Sequence, residues 1–197
     1  MDDDLFILPT VEIDPKLKRA QSLVGTSAGR PTDDFYCTPP EAVEALLGVE
    51  KFEGTIWEPA AGLGHISEVL KSHGHEVIST DLIERGYGEG NHDFLTSKLT
   101  ADNVITNPPF ILSEKFVELS LQRTTGKVAI LGKLQFLEGA KRRVMFESTP
   151  FKACYVFSKR IKMARNNNLE QYSSSMLAFA WFVWEHGYTG KPTLNWI

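Results

Sequence analysis

The chain has 197 residues, of which 42% are hydrophobic and 23% are charged, and its net charge at neutral pH is −4. This composition excludes a chain that is disordered as a whole, and the length suffices for one domain with a full hydrophobic core. Two cysteines are too few for a disulfide framework or a zinc knuckle. The longest apolar run, 176–184, has nine residues, whereas a membrane-spanning helix needs about 20. We therefore expect a cytoplasmic protein with no membrane segment.

Charge is divided unevenly along the chain. Residues 1–100 carry 8 basic and 18 acidic side chains, whereas residues 101–197 carry 13 basic and 7 acidic ones. Positive charge is concentrated in 141–165, where Glu147 is the one acidic residue. Such a segment can bind nucleic-acid phosphates or can be a solvated surface, and composition leaves both interpretations open. The candidate nucleic-acid-binding residues are Lys141, Arg142, Arg143, Lys159, Arg160, Lys162 and Arg165.

Short apolar strands alternate with amphipathic helices from residue 38 onward. This alternation predicts an α/β fold, with a parallel sheet covered on both faces by helices. Before it, residues 1–34 show little apolar periodicity, so we expect a partly ordered N-terminal arm followed by a single domain at 35–197. In chain order we predict a helix from Pro40, strands at 55–58, 76–82, 103–106 and 127–134, helices at 66–73, 113–122 and 136–146, and an antiparallel pair of strands at 153–158 and 176–185 at one sheet edge.

A glycine-containing turn follows the first predicted strand. Gly62 and Gly64 lie between that strand and a helix, where small residues let a ligand approach the backbone. Asp81 ends the next strand, where a carboxylate can accept hydrogen bonds from ribose hydroxyls. Ser67 stands in place of the third glycine of the dinucleotide fingerprint, so a pyrophosphate is disfavoured. The pattern indicates a nucleoside site, with a plain structural turn as the alternative.

A second motif, Asn107-Pro108-Pro109-Phe110, follows the strand predicted at 103–106. Two prolines cannot continue a strand, so the motif must lie at the strand's carboxyl end, where ligands bind in doubly wound sheets. The Asn107 amide oxygen and the Pro108 carbonyl can accept two hydrogen bonds from one NH₂ group, and the Phe110 ring can stack on a planar base. Drawing an aromatic amine toward tetrahedral geometry frees its lone pair for attack, which stabilises the transition state. We predict a catalytic role for all four residues.

Together these motifs resemble the class I S-adenosylmethionine-dependent methyltransferases, and among them the DNA N6-adenine enzymes. The resemblance covers roughly 36–185 and is most specific at 107–110. Residues 58–64 resemble the cofactor loop, Asp81 the ribose-binding acid and Asp93-Phe94 the adenine-contacting pair. Residues 36–40 resemble the segment that closes over the methionine end of the cofactor, which gives the motif order of the family's gamma group.

The resemblance implies a doubly wound, mostly parallel, seven-stranded Rossmann-like sheet with an antiparallel edge hairpin. It also implies S-adenosyl-L-methionine as the cofactor, DNA as the partner and no metal. The cofactor-binding residues would be Tyr36, Thr38, Pro39, Glu58, Ala60, Gly62, Gly64, Asp81, Leu82, Asp93, Phe94 and Asn107.

The chain departs from the larger members of this family in size. Only 87 residues follow Phe110, which leaves no room for a large target-recognition domain beside the sheet. Residues 136–143 and 184–188 resemble small phage or prophage adenine methyltransferases, which implies an enzyme encoded by a phage or its bacterial host. The polar loop 159–175 could read bases or could be an irregular connection, and both interpretations stay open.

The leading hypothesis is therefore methyl transfer to the N6 amine of adenine in DNA. Three alternatives stay open: the same chemistry on an RNA adenine, the same chemistry on a protein glutamine amide, and a non-catalytic nucleic-acid-binding module with this fold. The oligomeric state is left open.

Overall fold

A computed structural model describes residues 36–165 and 177–197. The predicted arm at 1–34 and residues 166–175 of the predicted base-reading loop lie outside the described residues. No helix within the described ranges combines the length and the apolar character that crossing a membrane requires.

Four helices and nine strands are found among the described residues. The helices are α1 (Pro40–Leu47), α2 (His65–Ser72), α3 (Ser113–Arg123) and α4 (Ala140–Ser148). The strands are β1 (Tyr36–Cys37), β2 (Ile56–Glu58), β3 (Val77–Ser79), β4 (Asn103–Thr106), β5 (Lys127–Lys133), β6 (Phe151–Val156), β7 (Ala164–Arg165), β8 (Phe179–Glu185) and β9 (Thr193–Trp196).

Seven of the strands form one mixed sheet in the order β3-β2-β4-β5-β8-β6-β9. Strands β3, β2, β4 and β5 are mutually parallel, and β8 is antiparallel to both β5 and β6. The predicted fold class is thereby confirmed. The structure adds β9, which pairs in parallel with β6 and forms the outer edge. This four-residue strand is mostly exposed, so it lacks the buried apolar pattern by which a strand can be predicted.

The sheet separates two hydrophobic cores, and β8 contributes to both. Trp181 and Val183 belong to the core beneath α1 and α2, whereas Phe182 and Trp184 belong to the core beneath α3. Successive strand residues point to opposite faces, so a strand that is covered on both sides is apolar throughout. The indole N–H of Trp181 also donates to the carbonyl oxygen of Ala42 in α1 at 2.7 Å.

The helix predicted at 136–146 is divided in the structure. A 3-10 helix at Leu134–Leu137 comes first, and α4 begins only at Ala140. Gly139 between them has a φ of 114°. This value lies outside the helical region, and glycine adopts it more readily than other residues do. The turn redirects the chain so that α4 packs along the sheet.

A buried ion cluster lies at the amino-terminal ends of β5 and β6. Glu50, 3% exposed in the loop after α1, accepts hydrogen bonds from Lys127 Nζ at 2.6 Å, Lys152 Nζ at 2.9 Å and the Tyr155 hydroxyl at 2.7 Å. Lys152 Nζ also lies 2.8 Å from Glu185. Burial alone would raise the pKa of Glu50, but the hydrogen bonds from Lys127, Tyr155 and Lys152 outweigh burial and hold the pKa below its ordinary value.

We expect Glu50→Gln to lower the free energy of unfolding at neutral pH by about 3 kcal/mol, because it leaves two lysine ammonium groups beside a neutral amide. A depressed carboxyl pKa stabilises the fold above the unfolded value, near 4.5, and this contribution is lost as the pH falls through the folded value. The cost of the substitution should therefore shrink in acid, which urea unfolding at neutral pH and below pH 4.5 can measure.

Glu118→Gln is the matched control, because Glu118 forms an exposed pair with Lys115 at 3.0 Å. Its loss should cost less than about 1 kcal/mol. An equal cost for both substitutions would show that the buried cluster does not stabilise the fold.

Candidate active site

The motifs singled out in the sequence converge on one edge of the sheet. Strands β2, β3, β4, β5 and β6 all point the same way, because β2–β5 are parallel and β8 is antiparallel to both β5 and β6. Their carboxyl ends therefore meet at one edge, where ligands bind in open α/β sheets.

Two glycines in the loop between β2 and α2 adopt a conformation that other residues rarely adopt. Gly62 and Gly64 have φ values of 58° and 84°, in the left-handed region where other residues are strained. A Cβ atom at Gly64 would overlap the ring of Tyr87. The Tyr87 hydroxyl donates to Glu68 at 2.6 Å and accepts from Lys71 Nζ at 2.8 Å, both in α2. Tyr87, a residue that the sequence analysis did not single out, thereby attaches the loop after β3 to the glycine turn.

Asp81 lies just beyond β3, beside the glycine loop. Its Oδ2 accepts from the Gly62 N–H at 2.7 Å, and its Oδ1 accepts from the Ile83 N–H at 2.8 Å. The residue is 9% exposed, and each carboxylate oxygen has more than one acceptor position. The backbone contacts orient the carboxylate and leave it the capacity to bind ligand hydroxyls. The neighbouring Leu82 is 62% exposed.

Glu58, the last residue of β2, has its carboxyl group turned inward. It is 2% exposed and accepts a hydrogen bond from the Ser67 N–H at 2.8 Å, and the Ser67 hydroxyl also contacts it. Burial raises the pKa of Glu58 to about 8 despite these hydrogen bonds. Both contacts from Ser67 are to Oε2 of Glu58. The Ser67 hydroxyl in turn lies 2.6 Å from the Ser79 hydroxyl in β3, so this serine side chain contacts both strands beside the loop.

The predicted adenine-contacting pair lies in the loop before β4. The Phe94 ring is 3% exposed and packs 5.1 Å from Trp57 and 4.4 Å from Phe116 between ring centroids. This ring is a core residue, so only the backbone of Phe94 is left for a ligand, and its N–H donates to none of the described residues. Asp93 is half-buried, and its Oδ1 accepts from the Leu95 N–H at 2.8 Å.

Asn107 follows β4, and β1 orients its amide group. Asn107 Nδ2 donates to the Tyr36 carbonyl and to Thr38 Oγ1, both at 3.1 Å. Two acceptors facing one end of the amide identify that end as the NH₂. The other end, Oδ1, and the carbonyl oxygen of Pro108 accept no hydrogen bond from any residue in the described ranges. Among the described residues, two acceptor oxygens without a donor therefore lie on consecutive residues at this edge, one on the half-buried Asn107 and one on the buried Pro108.

Two aromatic rings and a lysine side chain lie around Phe110, the last residue of the motif. Its ring centroid lies 5.5 Å from that of Tyr36 and 6.0 Å from that of Phe179, and Lys133 Nζ lies 4.5 Å from the same ring. The sequence analysis missed Phe179 and Lys133. Lys133 ends β5, directly beside β4, so its place at the carboxyl edge follows from strand order. Phe179 arrives from a distant antiparallel strand, and no local signal marks it.

A small separate ladder brings basic residues to the same edge. β1 pairs antiparallel with β7, so that Tyr36 lies opposite Arg165 and Cys37 opposite Ala164. β7 ends the segment that carries Lys159, Arg160 and Lys162, whose side chains are exposed. The strand that orients Asn107 is thus bonded directly to this basic segment.

The basic residues of α4 are partly paired with carboxylates. Arg143 Nε lies 2.8 Å from Glu147, and Arg142 Nε lies 3.8 Å from Glu114. Lys141, the third basic residue, is exposed. The seven candidate nucleic-acid-binding residues therefore lie in two places, the start of α4 and the segment from β6 to β7.

Comparison with known proteins identifies the fold. No family profile and no curated protein sequence matches the chain. A candidate RNA methyltransferase from Pyrococcus horikoshii has a similar structure, with 15% identity over 88% of this chain and 98% of that one and a TM-score of 0.61. The modification subunit of a candidate type I restriction enzyme from Vibrio vulnificus matches 92% of this chain and 50% of its own, with 14% identity and a TM-score of 0.55.

The chain has a methyltransferase-type fold. A candidate hemolysin from Lactococcus lactis shares this fold as well, with 14% identity over 79% of this chain and 91% of that one and a TM-score of 0.56. The fold alone therefore does not fix a substrate, and function must be argued from the site.

The raised pKa of Glu58 makes the fold of the free protein less stable as the pH rises. Between the unfolded value, near 4.5, and the folded value of about 8, the folded state holds a proton that the unfolded state has released. Each pH unit in this window should lower the free energy of unfolding by at most about 1.4 kcal/mol. Glu58→Gln should remove this decline, because glutamine has no proton to lose.

Urea unfolding at several values between pH 5 and pH 8 measures this slope for the two proteins. Glu53→Gln, an exposed control, should leave the slope unchanged. Equal slopes for wild type and Glu58→Gln would contradict the interpretation.

Proposed function

We propose that this protein transfers a methyl group from S-adenosyl-L-methionine to the N6 amine of adenine in DNA. The observation that carries the proposal is the acceptor pair formed by Asn107 Oδ1 and the Pro108 carbonyl oxygen. The pair lies beside the half-buried Phe110 ring, at the same sheet edge as the glycine loop and Asp81.

The residues at the edge fit the proposed cofactor. Gly62 and Gly64 let a ligand approach the backbone, and Asp81 offers oriented carboxylate oxygens to ribose hydroxyls. The Asp93 side chain and the Phe94 N–H together offer an acceptor and a donor to a base edge. When bound, S-adenosylmethionine would supply an electrophilic methyl group on a positively charged sulfur.

The chain's own groups would activate the nucleophile. An adenine N6 amine that donates one hydrogen bond to Asn107 Oδ1 and the other to the Pro108 carbonyl is drawn toward tetrahedral geometry, which frees its lone pair for attack on the methyl carbon. With the cofactor held by the glycine loop and Asp81, the amine bound to Asn107 and Pro108 would receive the methyl group as the sulfonium releases it, and the methylated nitrogen would lose a proton to solvent. Because β1 fixes the Asn107 amide beforehand, this orientation costs little reorganisation during the reaction.

A nucleic acid is favoured as the substrate by charge and by ring chemistry. The exposed side chains of Lys159, Arg160 and Lys162 lie beyond β6 at the site's edge and can contact phosphates. Phe110 and Tyr36 offer aromatic surface on which an extruded base can stack. Two proteins with a similar fold, a candidate RNA methyltransferase and the modification subunit of a candidate type I restriction enzyme, support this proposal.

The test is incubation of the purified protein with methyl-labelled S-adenosylmethionine and, separately, duplex DNA, single-stranded DNA, ribosomal RNA and a protein extract. Nucleoside analysis should find N6-methyladenine in DNA. Label only in RNA or on protein glutamine would overturn the substrate while keeping the acceptor chemistry. Failure to bind S-adenosylmethionine in a calorimeter would favour the non-catalytic binding module.

Asn107→Ala should reduce turnover on DNA on the order of 10²-fold, because it removes one of the two oxygens that polarise the amine. Calorimetric affinity for S-adenosylmethionine should be largely kept. Asn195→Ala is the matched control and should retain full turnover, because Asn195 lies in β9, the outermost strand and four strands away from β4 in the sheet. A variant at position 107 with more than about a tenth of wild-type turnover would refute the assigned role.

Affinity for DNA should fall steeply with salt if the basic segments contact phosphates. For 6–10 contacts the loss between 50 and 200 mM salt is about 10³-fold or more. Replacing Lys159 and Lys162 together by alanine should lower the slope of log affinity against log salt by about two. A flat profile for the wild type would instead favour a protein substrate.

A further inference from the structure

Ile111 is an exposed apolar side chain directly beside the candidate catalytic motif. At 76% exposure it is the most exposed large hydrophobic residue within the described ranges. It follows Phe110 in the chain and belongs to the same single-turn 3-10 helix, Phe110–Leu112. Isolated apolar residues on a surface are common, but Ile111 differs from them in its position beside the motif and in the rigidity of its backbone.

The backbone around Ile111 is fixed on both sides. The Leu112 N–H donates to the Pro109 carbonyl at 2.8 Å, and the Ser113 hydroxyl donates to the Phe110 carbonyl at 3.0 Å. Leu112 packs against the core beneath α3, and Ser113 is 4% exposed. The proline before Phe110 restricts the chain further. Ile111 is thus presented to solvent from a rigid turn rather than from a pliable loop.

Base extrusion creates a need for such a residue. An adenine that leaves a duplex to reach Asn107 exposes the faces of its two neighbours and leaves its partner base unpaired. Apolar side chains that enter a base stack can replace the lost stacking contacts and hold the extruded state open. A wedge must lie close to the base pocket, because the extruded nucleotide remains bonded to the strand it left.

We propose that Ile111 is this wedge and enters the duplex at the position that the extruded adenine vacates. The proposal rests on the proposed function, since it presupposes that the acceptor pair of Asn107 and Pro108 receives an adenine from duplex DNA. It assigns Ile111 to opening the duplex and not to the methyl transfer itself.

The experiment measures the ratio of turnover on duplex DNA to turnover on the same DNA as single strands, by nucleoside analysis of N6-methyladenine. Ile111→Ala should lower this ratio about tenfold or more, because the shortened side chain cannot fill the gap. Ile111→Leu, which preserves volume, should restore it. Val49→Ala removes another exposed apolar side chain, 45% exposed in the loop after α1 at the opposite edge, and should leave the ratio unchanged.

A duplex with mismatched adenines is a third substrate, and it distinguishes a defect in duplex opening from other defects. In a duplex whose adenines face mismatched bases, extrusion costs less, so Ile111→Ala should recover most of the wild-type rate. A ratio within twofold of wild type on normal duplex, or a loss that mismatches do not relieve, would overturn the wedge. Wild-type activity confined to single strands would also overturn it, since no stack then needs filling.

The failure of the wedge can be told from the failure of the proposed function. Absence of N6-methyladenine from every DNA treated with wild type would refute the function. Normal wild-type methylation of duplex DNA, with an unchanged ratio for Ile111→Ala, would refute the wedge alone.

Discussion

Two hydrogen bonds from one amide nitrogen organise the candidate site. Asn107 Nδ2 donates to Tyr36 and Thr38, which lie about 70 positions earlier in the chain. These contacts decide which end of the amide faces outward, and with it whether an acceptor or a donor is presented to a substrate. The Pro108 carbonyl provides a useful second acceptor only because the first is fixed in this way. The aromatic contact between Tyr36 and Phe110 depends on the same placement of β1.

The sheet holds the residues of this contact in fixed relative positions. Parallel strands bring the glycine loop, Asp81 and Asn107 to one edge, while β8, apolar on both faces, holds two cores together behind them. The charged cluster around Glu50 lies at the opposite edge of the sheet. The Glu50 cluster and the candidate site therefore lie at opposite ends of the same strands.

Features set by local geometry could be predicted from the sequence. Strand β4 ends where two prolines require it to end, and Gly62 and Gly64 adopt the left-handed conformation that a tight turn demands. Features set by distant partners could not. Nothing near Glu58 in the chain reveals that its carboxyl turns toward Ser67, and nothing near Phe179 reveals that it packs against Phe110. Within the described ranges, the ladder between β1 and β7 shows two residue pairs, which leave no pattern by which either strand could be predicted.

The ladder between β1 and β7 connects Asn107 to the basic segment 159–165. The strand that sets the Asn107 amide is bonded along its other side to the end of the basic segment 159–165. Because the two strands are paired, we expect a shift of residues 164–165 to displace the Tyr36 carbonyl that accepts from Asn107. The alignment of the Asn107 amide would then depend both on β4 and on a surface segment distant in sequence. If the protein acts as proposed, substitutions in 159–165 would alter the rate of methyl transfer as well as the affinity for DNA, and screens that score affinity alone would miss the first effect.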